Sequence, residues 1–256
     1  MSKGPQDTRA EYIAGRNPVR ELLEGDAGRI QKLNIQKSSG GSMGELHALA
    51  RDAGIPVRFV PTAALEKMVP GVNHQGVVAS VSPIRYLDAD EMLSAIAPTR
   101  DEVRESKPIV LILDHIQDPH NLGAIVRSAV AAGVNGMIIP ERGAAPVTAA
   151  SVKTSAGTIS HLPIARVGNV SQTIYRLKER GYWIAGADGA GELTPREMDW
   201  DRPIGLVIGS EESGMGRAVR DQCDHVVRIP MRGPAESLNA SVAAGILLFE
   251  AVQCRM

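Results

Sequence analysis

Three stretches of the 256-residue chain gather groups that could do chemistry, and each follows an apolar run. The first is Leu113-Asp-His-Ile-Gln-Asp-Pro-His-Asn-Leu-Gly-Ala-Ile-Val-Arg127, in which Asn121 is placed to cap a helix and Arg127 lies near that helix's start. The second, Gly205-Leu-Val-Ile-Gly-Ser-Glu-Glu-Ser-Gly-Met-Gly216, sets glycines around two carboxylates, a composition that lets backbone amides approach a ligand closely. It fits neither a G-x-G-x-x-G dinucleotide turn nor a P-loop with its lysine. In the third, Ser237, Asn239 and Ser241 crowd the start of an apolar helix, whose unpaired N–H groups and positive dipole end favour an anionic or carbonyl-bearing ligand. On these residues alone, the first stretch also reads as a capped helix with one solvated arginine, and the second as a turn with solvated glutamates.

Elements must bring such groups together. From residue 108 onward, short continuous apolar runs at 109–113, 136–139, 182–185, 204–208 and 226–229 alternate with helical patterns at 122–132, 148–155, 171–180 and 240–252. Runs of that kind predict strands buried on both faces of a parallel sheet with crossover helices. Ligands of such sheets collect outside the carboxyl ends of strands, where the three stretches fall. The first 85 residues alternate helical patterns at 12–23, 43–53 and 63–69 with extended ones at 32–36, 57–60 and 76–81, which predicts a small α/β/α unit. Residues 86–107 are polar, with one short helical pattern at 88–96 followed by a stretch with few apolar anchors, and read as a linker. The expected organisation is therefore 1–85, a linker at 86–107, and 108–256.

Composition narrows the function. With 43% apolar and 22% charged residues the chain belongs among globular proteins. Only 3% are aromatic, which disfavours RNA binding through many exposed stacking platforms. Cys223 and Cys254 make neither a disulfide framework nor a zinc cluster, so no metal is expected and a reducing cytosol fits best. The beginning of the sequence lacks a charged region followed by an apolar one, and no apolar run reaches about 18 residues, so a cytoplasmic, non-membrane protein is expected. The net charge of -1 does not by itself announce a nucleic-acid binder.

In this order, Asp118-Pro-His-Asn-Leu-Gly-Ala-Ile-Val-Arg127, Val207-Ile-Gly-Ser-Glu-Glu-Ser-Gly-Met215, and Ile229-Pro-Met with Ser237-Leu-Asn-Ala-Ser241 resemble the three motifs of the SpoU (TrmH) branch of the SPOUT RNA 2'-O-ribose methyltransferases. Two departures stand in them, Glu212-Ser213 where a glycine often follows the first glutamate, and Ala240 where valine is usual. The resemblance implies a parallel sheet with a C-terminal trefoil knot and S-adenosylmethionine held against Gly209, Ile229 and Leu238. It carries catalytic roles onto Asn121, Arg127, Glu211, Ser237 and Asn239. Arg127 matches the family's catalytic arginine; because a guanidinium stays charged, it is expected to clamp an RNA phosphate and stabilise a developing alkoxide. Glu211 is expected to orient Arg127 or the substrate. His115 and His120 receive no acid or base role, and both cysteines are expected to be inert.

Tyr12-Ile-Ala-Gly-Arg-Asn-Pro-Val-Arg-Glu-Leu-Leu23 and His74-Gln-Gly-Val-Val-Ala-Ser-Val81 resemble the L30e-like substrate-binding domain of family members that act on large-subunit ribosomal RNA. That resemblance implies RNA as partner and points to a guanosine of 23S ribosomal RNA. An adenosine target of the thiostrepton-resistance type, a tRNA target and a non-catalytic RNA-binding role remain alternatives; a Rossmann-type oxidoreductase lacks its glycine turn. Family members pair as homodimers, and the apolar helix near the end of the sequence is consistent with an interface. RNA contact is expected to draw on Arg9, Arg16, Arg20 and Lys37 in the small unit and on Arg127, Arg142 and Lys153 in the large one.

Overall fold

The computed structural model describes residues 11–37, 42–235 and 237–256, which form two units, one of residues up to 85 together with Pro146–Ala149 and one of the remainder. The first contains β1 (Glu11–Ala14), α1 (Arg16–Gly25), β2 (Ile30–Gln36), α2 (Ser42–Asp52), β3 (Val57–Val60), α3 (Thr62–Met68) and β4 (Val77–Val81). Its sheet runs β1-β4-β2-β3, with β4 antiparallel to both neighbours and β3 parallel to β2. Alternation along β4 explains the layers: Val77, Ala79 and Val81 join Val19, Leu23, Leu46 and Ala50 on one face, while Val78 meets Val60 and Leu65 on the other. This is the expected α/β/α unit. The helix expected over 12–23 is displaced, because Gly15 takes φ 101 and separates a strand from the helix. Tyr12 then pairs with Ser80 in the sheet.

The second unit contains α4 (Ala89–Ile96), α5 (Arg100–Ser106), β5 (Ile109–Asp114), α6 (Pro119–Ala131), β6 (Gly136–Pro140), α7 (Ala149–Thr154), β7 (Ile164–Val167), α8 (Val170–Glu179), β8 (Trp183–Ala187), β9 (Ile204–Gly209), α9 (Arg217–Arg220), β10 (His225–Val227) and α10 (Ala240–Gln253). Its sheet is parallel throughout, in the order β10-β8-β9-β5-β6-β7. Every residue of β5 and β6 is buried, as continuous apolar runs require of strands covered on both faces. β7 was not anticipated: Ile164-Ala-Arg-Val is too short to stand out from the loop around it.

The segment expected as a linker is folded. Thr99 and Glu102 form a reciprocal capping box at the start of α5, and Asp88 caps α4. Met92, Leu93 and Val103 enter the same core as Val110, Ile112 and Ile138. Leu87 extends the sheet beside β7, accepting from Arg166 N and donating to Ile164 O. The helical pattern at 88–96 is α4, whereas α5 was missed because a short amphipathic helix needs only a few anchors.

The order of the sheet positions the site. Asp114, Gly209 and Ala187 end adjacent strands β5, β9 and β8 at nearly one level, with Val227 of β10 paired to Ala187. The loops after four neighbouring strands therefore gather at one edge.

Candidate active site

The first side chains of the site come from the start of α6. Asp118, not Asn121, is its N-cap: the Asp118 carboxylate accepts the His120 N–H at 2.8 Å, and Pro119 occupies the first helical position. Aspartate before proline satisfies both preferences of a helix start, so the expected capping role moves three residues upstream. Asn121 is thereby released to face other loops. Arg127 lies two turns beyond Pro119, exposed, with no ion pair or hydrogen bond among the described residues.

The loop after β9 turns back on itself. Ser210 and Gly214 exchange backbone hydrogen bonds at 3.1 and 2.9 Å, Ser210 and Ser213 hydroxyls meet at 2.8 Å, and Gly214 takes φ 64. Gly209 is required by this turn. A Cβ there would stand 2.2 Å from the Gly214 carbonyl carbon and 2.3 Å from Met215 N. The close approach that glycine permits is thus made by the protein's own backbone.

At the third stretch Asn239 caps α10, its Oδ1 accepting the Ser241 N–H at 2.9 Å and the Ser241 hydroxyl at 2.5 Å. Its amide Nδ2 donates to Asn121 Oδ1 at 2.9 Å and to Glu211 Oε1 at 3.3 Å. Asn121 Nδ2 also donates to Glu211 Oε1, which further accepts the Ala240 N–H at 3.4 Å. Residues far apart in sequence thus interlock around one carboxylate oxygen. Glu211 Oε1 is engaged by Asn121, Asn239 and the start of α10, and no hydrogen bond or ion pair joins Glu211 to Arg127 among the described residues.

Beside this network a cavity of about 330 Å³ is lined by Gly209, Glu211, Ile229, Ser237 and Leu238, together with Ile208, Asp188, Gly189 and Met231. Every residue expected to hold a cofactor borders it, and so does Ser237. Arg127, Asn121 and Asn239 do not line it.

Three contributors, Asp188, Gly189 and Asp114, were missed. Asp188 and Gly189 follow β8 in an Ala-Asp-Gly-Ala-Gly stretch, which the strand-end argument could have flagged had it been applied to every apolar run. Asp114, 1% exposed, holds the loop after β9 by accepting the Gly216 N–H at 2.7 Å, and its other oxygen meets His115 Nδ1 at 2.6 Å. A buried carboxylate needs such partners. His115 is left in the left-handed region at φ 61, and His120 meets the Thr154 hydroxyl at 3.2 Å. Burial pushes the Cys223 thiol up to about 12, which leaves it protonated at neutral pH.

Of the cations expected to meet RNA, Arg127, Arg142 and Lys153 are exposed, as is Lys37. Arg20 is a correction, since its guanidinium is paired with Glu45 at 2.6 Å. Arg9 lies outside the described residues.

Comparison with known proteins follows the same division. Residues 108–249 match the SpoU rRNA methylase family, and residues 12–87 match the RNA 2'-O ribose methyltransferase substrate-binding family. A Bacillus subtilis protein, YacO, named for the TrmH family of tRNA/rRNA methyltransferases, is 41% identical over 245 residues, 96% of each chain. A tRNA/rRNA methyltransferase of Mycobacterium avium is 42% identical over 94% of this chain and 76% of its own. Among solved structures, the SpoU methyltransferase AviRb from Streptomyces viridochromogenes in complex with AdoMet superposes with a TM-score of 0.58 at 29% identity, covering 95% of this chain and 90% of that one. An AdoMet-bound rRNA methyltransferase from Sinorhizobium meliloti gives 0.59 at 28% identity, over 96% and 88%.

Proposed function

The chain belongs to the SpoU rRNA methylase family, and from that premise we propose that it methylates a ribose 2'-hydroxyl in RNA, its target a guanosine of 23S ribosomal RNA and its methyl donor S-adenosylmethionine. The observation that carries this reading is the meeting of Asn121, Glu211 and Asn239, drawn from three separate motifs, at the edge of one cavity. Capping and turn formation alone would not require them to converge.

The cavity suits the donor. Ile208, Ile229 and Leu238 offer apolar walls for an adenine, while Asp188 and Ser237 supply polar groups for a ribose or an amino acid end. When bound, S-adenosylmethionine supplies an electrophilic methyl group on a sulfonium. The chain's own residues then have to aim the ribose oxygen, a contribution that aligned reactants can make worth roughly 7–11 kcal/mol. Glu211 fixes Asn121 and Asn239 against each other, so that the starts of α6 and α10 keep one spacing. Arg127 is exposed and unpaired among the described residues, which leaves its guanidinium available to an RNA phosphate and to the negative charge that grows on the ribose oxygen. It acts as a fixed charge and not as a base, since guanidinium does not lose its proton near neutrality.

A homodimer is part of this reading. Val242, Ile246 and Phe249 are exposed at helical spacing along α10 and make an apolar stripe that a second copy would cover. The small unit's match to an RNA 2'-O ribose methyltransferase substrate-binding family supports RNA as the substrate and the ribose as the site of methylation. Mapping ribose methylation in ribosomal RNA from cells lacking the protein tests the proposal: one guanosine of 23S RNA should lose its methyl group, and a loss confined to tRNA would overturn the target.

A further inference from the structure

The first unit holds a second hollow, of about 570 Å³, at the start of α1 and the turn before β4, bordered by Arg16, Asn17, Gln36, Asn73, His74 and Gln75. Apolar side chains are absent from its lining. Its acceptors are largely spent on the protein itself. Gln75 Oε1 accepts the Arg16 N–H at 3.0 Å, Asn73 Oδ1 accepts the Gln75 N–H at 3.3 Å, and His74 Nδ1 accepts the Gly76 N–H at 3.0 Å. Because that ring nitrogen receives a backbone proton, the neutral imidazole carries its own hydrogen on Nε2. Left without a partner among the described residues are the amide nitrogens of Asn73 and Gln75 and the His74 Nε2–H, three donors. Arg16 adds a positive charge, with its Nε donating to Gln75 O at 3.2 Å. The exposed side chain of Asn17 has no hydrogen-bond partner among the described residues and adds a further amide donor beside its own acceptor.

A rigid frame that consumes acceptors and presents donors selects a ligand rich in acceptors. We infer that this hollow holds an unpaired ribonucleotide of the RNA substrate through its base carbonyl and ring-nitrogen acceptors and its phosphate oxygens. The inference rests on the RNA-methylating reading above and locates, within the small unit, the surface that grips the RNA. Such a grip suits a chain with few aromatics, because it reads the edge of a nucleotide and needs no stacking platform.

The test exchanges a donor for an acceptor without changing shape. Asn73→Asp keeps the oxygen that holds the Gln75 N–H and replaces the outward NH2 with an anionic oxygen; Asn17→Asp does the same at a residue with no internal partner. Filter binding of the full chain to a 23S ribosomal RNA transcript should show each substitution weakening affinity about tenfold. Arg51→Gln, which lowers the charge by the same amount in the last turn of α2, should change it much less. Calorimetric binding of S-adenosylmethionine should be unchanged in both aspartate variants, and KM for RNA should rise while kcat holds. RNA affinity equal to the parent in both variants, or an equal loss in Arg51→Gln, overturns the inference alone. A parent chain that binds no RNA overturns it together with the reading it rests on.

Discussion

At the scale of single residues, the division of labour follows from which polar atoms are already taken. Glu211 Oε1 is engaged by Asn121, Asn239 and Ala240, which ties the loop after β9 to the starts of α6 and α10. Arg127 has no such internal partner among the described residues. If Arg127 works as a positive charge, Arg127→Lys should retain measurable single-turnover methylation, whereas Arg127→Ala should fall by roughly 10²–10³. Equal loss in both would contradict a simple charge role. The two cysteines differ in reactivity on different grounds. Desolvation holds the Cys223 thiol near 12 while Cys254 is exposed, and only thiolate reacts. At pH 8, iodoacetamide should therefore modify Cys254 well before Cys223, and mass spectrometry of the digested chain checks the order.

At the scale of elements, the loop after β9 is the piece on which the site turns. Gly209→Ala would drive a Cβ into the Gly214–Met215 backbone, displacing the turn that carries Glu211 without touching the buried strand before it. We expect loss of S-adenosylmethionine binding by calorimetry with little change in far-ultraviolet circular dichroism; binding at the parent affinity would show that the turn is dispensable. Much of this level was legible in the sequence. The continuous apolar runs identified β5, β6, β8, β9 and β10; β5, β6 and β9 are covered on both faces and have no polar alternation to hide them. The helical pattern at 88–96 marked α4, but β7 and α5 were not legible, since four residues or a few anchors fall below what periodicity resolves. Asn121 was found by its position at a strand end, but its release from capping depended on Asp118-Pro119, a choice between adjacent candidates that sequence alone leaves open. Asp114 escaped notice because an aspartate ending a strand looks solvated until the loop it anchors closes over it.

At the scale of the whole molecule, near-neutral net charge coexists with RNA binding only if cations are placed and not merely counted. Arg127, Arg142 and Lys153 stay exposed, whereas Arg20 is neutralised by Glu45. The apolar stripe on α10 predicts association of two chains. Phe249→Glu should shift the mass seen by light scattering after gel filtration from dimer to monomer, and a parent chain already monomeric at micromolar concentration would refute the interface. The central claim is the chemistry itself. Purified chain incubated with S-adenosylmethionine and an unmodified 23S ribosomal RNA transcript, followed by digestion to nucleosides and mass spectrometry, should yield 2'-O-methylguanosine; a nucleoside methylated on its base, or none methylated at all, would contradict the account.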